Sequence, residues 1–128
     1  MNFKRLFTLK IRKSWRRKEC HDLFMILENK PGRYQIRDIS SGGLSYHYIG
    51  NGACPYKGIY GIEVFAKNQS SPLSLLGRTI SDYEIGVMVS EKKTLKRRSI
   101  RFERVNSSQK KMLKEIIKKH SINKSIVS

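Results

Sequence analysis

The feature that most constrains this chain is a run of short apolar–polar alternations, each stopped by turn residues within about ten positions. Tyr34 and Ile36 face one way while Arg33, Gln35 and Arg37 face the other. Leu44, Tyr46 and Tyr48 alternate with Ser45 and His47, and Tyr60, Ile62 and Val64 and then Ile100 and Phe102 repeat the pattern. A period of two marks half-buried strands. Leu23–Leu27 is a continuous apolar run of strand length. Between these stretches lie Asn29-Lys30-Pro31-Gly32, Ser41-Gly42-Gly43 and the polar turn Asn68–Pro72, where proline fixes φ and glycine accepts positive φ. Residues 50–58 read as a loop, 74–81 and 83–89 as two further strands, and Glu91–Arg98 as a charged connection. Connections this short favour antiparallel hairpins over βαβ crossovers. Closing the sheet into a barrel removes its exposed edges. One strand breaks phase: at Asp38-Ile39-Ser40 the next apolar residue has the wrong parity, which marks a bulge or a strand end.

The period changes once, near the C-terminus. Met112, Leu113, Ile116 and Ile117 form a stripe at helical spacing, with Lys110, Lys111, Lys114, Lys118 and Lys119 outside it. Asn106 is a good N-cap and Gln109, three residues on, can close a capping box. The expectation is a helix over 107–120 lying across the barrel, with lysines in its last turn that suit the helix dipole. The fold class is therefore mainly β, a six-stranded antiparallel barrel with a C-terminal α-helix.

One domain accommodates 128 residues. Its charge of +17 is uneven: residues 1–18 hold eight basic and no acidic residues, and 91–128 hold 13 basic and three acidic. The nearly neutral body between them is the barrel. This gives a basic, flexible arm over 1–19, a barrel with its helix over 20–122, and a frayed tail over 123–128. Such charge attracts anionic partners. No apolar run is long enough to span a membrane, and Lys10, Arg12 and Lys13 interrupt any signal-peptide core. Cys20 and Cys54 fit neither a disulfide framework nor paired zinc-ligand spacing; reduced thiols in a cytoplasm are the simple reading. His21, His47 and His120 are scattered, and no nucleophile–base set or paired-carboxylate site emerges, so no enzyme, no metal and no cofactor are expected.

Two weak motifs become informative together. Arg12 and Arg16 stand four apart, so their guanidinium groups point the same way on a strand or a helix. Each offers a planar fork that matches a phosphate or the O6/N7 edge of guanine, and Arg17 beside them can reach a phosphate. Asp38-Ile39-Ser40-Ser41-Gly42-Gly43 follows after one strand and one turn. An ionised Asp38 accepts hydrogen bonds, which suits the N1–H and N2–H donors of guanine, and Ser40 adds a hydroxyl. Gly43 permits a close backbone approach. The bland readings are a solvated basic tail and a capped hairpin turn; an anionic ligand bearing guanine satisfies both halves at once.

This combination resembles the PilZ domain family, which carries R-x-x-x-R near its N-terminus and [D/N]-x-S-x-x-G later. The matches are Arg12 and Arg16, then Asp38, Ser40 and Gly43, with Gly42 as a common extra glycine; the resemblance extends over about residues 10–120. It implies a PilZ-type six-stranded barrel that binds cyclic di-GMP. The arginine arm would wrap the ligand, the Asp38/Ser40 turn would hold a guanine, and the readout would pass to an unidentified effector protein. Two other readings stand beside it. The charge alone fits a small basic barrel that binds RNA or DNA, and a PilZ-like docking module without ligand is the third.

Overall fold

The computed structural model describes residues 18–50, 57–67, 71–88 and 93–120. Seven strands run in order: β1 (Lys18–Glu19), β2 (Leu23–Leu27), β3 (Tyr34–Ile39), β4 (Gly43–Gly50), β5 (Ile59–Ala66), β6 (Leu73–Met88) and β7 (Lys93–Glu103). One helix, α1 (Ser107–His120), follows. Every pairing is antiparallel. The order β3-β2-β5-β6-β7-β4 returns to β3 through a β3–β4 pairing, which closes a six-stranded barrel. The short β1 is the extra strand. It pairs with the end of β3, placing Lys18 opposite Ile39 and Glu19 opposite Asp38.

The alternation fixes which side chains meet inside. Met25 lies opposite Val64, Ile62 opposite Leu75, and Leu44 opposite Ile100, and all six are buried. The parity break in β3 is a bulge: the register shifts between Ile36 and Asp38, leaving Arg37 as the extra residue. Both Ile36 and Ile39 can then enter the core at 0% exposure while Asp38 turns outward.

Three expectations need correction. Residues 74–81 and 83–89 are not two strands; β6 is a single 16-residue strand that absorbs its irregularity in register shifts at Thr79/Ser81 and Glu84/Gly86. The charged stretch before Ser99 is not a connection either, because β7 begins at Lys93. Its inward parity continues back from Phe102 and Ile100 to Arg98, which is 1% exposed. There Arg98 donates to Tyr46 Oη at 2.7 Å, to Tyr48 Oη at 3.0 Å and to Asp82 Oδ2 at 3.1–3.2 Å. The Tyr48 hydroxyl in turn donates to Asp82 at 2.6 Å. A buried guanidinium is tolerated because its donors find partners and its charge meets a carboxylate. The third correction is at the helix, where Leu113 and Ile116 are buried and Ile117 packs against the core, but Met112 faces outward.

The helix begins as expected. Asn106 N–H donates to Gln109 Oε1 and Gln109 N–H donates to Asn106 Oδ1, both at 2.8 Å, a reciprocal capping box. Gln109 Nε2 also donates to the Ser74 carbonyl at 2.9 Å. At the other end His120 Nδ1 lies 2.7 Å from Asp22 Oδ2. These two contacts fasten α1 across the barrel end where β2 and β6 begin, which is also the end where β3 turns into β4.

Candidate ligand-binding site

The bend between β3 and β4 is built by its own side chains. Ser40 N–H donates to the Gly43 carbonyl at 2.8 Å, and Ser40 Oγ accepts from Gly42 N–H at 3.1 Å and Gly43 N–H at 3.2 Å. Serine favours such local bonds to backbone, which is why it stands here. Ser40 is 2% exposed, so its hydroxyl is held inside the bend. Gly42 O accepts from Phe102 N–H at 2.8 Å, tying the bend to β7. Gly43 is required by close strand approach: a Cβ there would stand 2.2 Å from the Ile100 carbonyl oxygen.

Asp38 comes out of the bulge onto the outer face. Its Oδ2 accepts from Arg97 Nη2 at 2.7 Å, and the same nitrogen donates to Ser45 Oγ at 2.9 Å. Three strands thus contribute one polar cluster, Asp38 from β3, Ser45 from β4 and Arg97 from β7. His47 belongs to the same face, two residues beyond Ser45 on β4 and opposite Arg97 in the register. Burial lowers the His47 pKa below its ordinary value, and the charges of Arg37 and Arg97 lower it further, against a smaller opposing pull from Asp38. Arg97 and His47 were not singled out from the sequence. The inward–outward parity of β7, run back from Ile100, would have placed Arg97 on this face.

Of the residues expected to bind ligand, Asp38, Ser40, Gly42 and Gly43 form this one bend. Arg12, Arg16 and Arg17 lie outside the described residues, as does nearly all of the expected arm over 1–19; its last two residues are β1 and join β3 beside the bend. Cys20 is 1% exposed and its thiol donates to the Ile36 carbonyl at 3.4 Å. Burial, with the charges of Asp38 and Asp22, pushes that thiol up to about 12, so it is an inert core group at neutral pH. Among the described residues no three metal-ligating side chains gather, and no helix is long and apolar enough to cross a membrane. A separate groove of about 460 Å³, lined by Ile26, Glu28, Gly61, Glu63 and Leu76 among others, shares no residue with the bend.

No family model matches the sequence, and no curated relative does. Solved structures do match. YcgR from Escherichia coli in complex with c-di-GMP aligns with a TM-score of 0.62 at 21% identity, covering 84% of this chain and 45% of that one. The chain therefore spans about half the length of that protein. The PilZ domain of the same YcgR, with c-di-GMP, aligns with a TM-score of 0.60 at 21% identity, covering 85% of this chain and 91% of that one. The part of YcgR that corresponds to this chain is its PilZ domain, and the closed barrel, its extra strand and its C-terminal helix have the fold of a PilZ domain.

Proposed function

We propose that this protein is a receptor for cyclic di-GMP, a binding module without catalytic activity that reports ligand to a partner protein. One observation carries the reading. On a PilZ fold, β1 joins β3 at the foot of the Asp38–Gly43 bend, Lys18 opposite Ile39 and Glu19 opposite Asp38. The segment bearing the arginines is therefore tethered through Lys18 beside the bend. Arg16 stands two positions and Arg12 six positions before Lys18, and six extended residues reach about 20 Å. That length would let both guanidinium forks reach a ligand seated on Asp38.

In this reading Arg12 and Arg16 grip phosphate and guanine edges, Arg17 adds a phosphate contact, and Asp38 takes the guanine N1–H and N2–H. Arg97 orients the Asp38 carboxylate. Ser40, Gly42 and Gly43 set the bend that presents it. Closing the arm over the ligand is the signal, because an ordered arm offers the partner a surface that a loose one lacks. The exposed lysines of α1, Lys110, Lys111, Lys114, Lys118 and Lys119, support a second reading, a nucleic-acid surface.

Calorimetric titration with cyclic di-GMP separates the two. The receptor reading expects saturable binding that Arg12→Ala/Arg16→Ala abolishes while the thermal melt is unchanged. Absence of heat with wild type at micromolar protein, together with salt-sensitive binding of a DNA or RNA oligonucleotide, would transfer the assignment to the second reading.

A further inference from the structure

His47 has both ring nitrogens buried and neither has a hydrogen-bond partner. Leaving a buried polar group unmatched is costly, and each such group in a folded protein calls for a reason. The residue as a whole is only partly covered and stands on the outer side of β4, so a ligand reaches its nitrogens only if the surface side chains over them turn to another rotamer.

Its surroundings define what would satisfy it. Arg97 lies directly opposite on β7, and Tyr83 of β6 is the next residue in the same cross-strand row. Arg37 occupies the β3 bulge, with Asp38 beside it. Asp38 is already engaged by Arg97. The charged groups facing the imidazole are thus two guanidinium groups and one paired carboxylate. An imidazole hemmed by cations stays neutral until an anion arrives, and the anion then favours its protonated form.

We infer that His47, with Arg37 and Arg97, forms an anion subsite that receives a phosphate group of the bound nucleotide, and that binding there is coupled to proton uptake by His47. The inference rests on the receptor reading for the identity of the nucleotide, but not for the anion chemistry. It adds to the arginine arm a set of contacts on β3, β4 and β7. A free imidazole held neutral by burial, Arg37 and Arg97 is the starting state that such coupling requires.

The test follows the His47 ring by NMR against pH in three samples: protein alone, with cyclic di-GMP, and with inorganic pyrophosphate. The expected result is a midpoint that rises by about one pH unit with cyclic di-GMP, equivalent to about tenfold tighter binding below the transition than above it. His47→Phe should remove this pH dependence of affinity. If cyclic di-GMP binds and the midpoint does not move, the inference is overturned and the receptor reading stands. If cyclic di-GMP does not bind, the receptor reading fails; a rise with pyrophosphate then upholds the anion subsite, and no rise with either overturns it.

Discussion

At the scale of single residues, Gly43 and Asp82 show how little freedom some positions have. Adding a methyl at Gly43 drives a Cβ into the Ile100 carbonyl, which is backbone and cannot step aside. Gly43→Ala should cost about 1–3 kcal/mol, the usual range for overpacking a tight site, read as a lower urea midpoint. Asp82 answers the buried Arg98. Burial pushes its carboxyl up, but the Tyr48 hydroxyl and the Arg98 guanidinium outweigh burial and hold it below the usual carboxylate range. The unfolded chain therefore takes up this proton first as pH falls. The stabilisation is complete above the ordinary carboxylate pKa of about 4 and is lost as pH drops toward the lower folded value. Asp82→Asn should cost about 3 kcal/mol at neutral pH, because the buried Arg98 guanidinium loses the carboxylate it is paired with. Below about pH 4 wild type should lose stability more steeply than this variant in denaturant titrations.

At the scale of elements, the helix was the part best specified by local sequence. Asn106 and Gln109 announce a capping box and the structure forms it. Asn106→Ala should lower stability by about 1 kcal/mol. Gln109→Ala should cost more than the cap alone because it also drops the bond to the Ser74 carbonyl; thermal melts of both variants check the order. Strands bounded by glycine or proline turns are equally legible, and the wrong parity at Asp38–Ser40, which allows a bulge or a strand end, corresponds to the bulge in β3. The long β6–β7 pair is not. Glu91–Arg98 reads as a charged connection, and composition conceals the period of two that places Arg98 inside. Its burial depends on Asp82, Tyr46 and Tyr48, which come from other strands, and no local window contains them. The candidate site divides the same way. Asp38 and its bend were visible as a motif, whereas Arg97 and His47 join it only through cross-strand register.

At the scale of the whole molecule, the question is what a charge of +17 serves. A ligand with two negative charges needs few counter-charges, so the affinity for cyclic di-GMP should fall gently with salt, with a log–log slope of magnitude about 2 or less. A slope several times steeper, measured by titration between low and moderate salt, would be the mark of a polyanion. Binding should also draw residues 1–17 onto the bend, so hydrogen exchange in that segment should slow when cyclic di-GMP is added; an unchanged rate would separate the arm from the ligand.

In the proposed receptor an arginine from the N-terminal segment and the Asp38 carboxylate hold one ligand between them. A double-mutant cycle on cyclic di-GMP affinity, with Arg16→Ala, Asp38→Ala and the pair, measures this directly. The pair should lose less than the two single losses combined, with a coupling of about 1 kcal/mol or more. Strictly additive losses, or a single variant that binds like wild type, would contradict it.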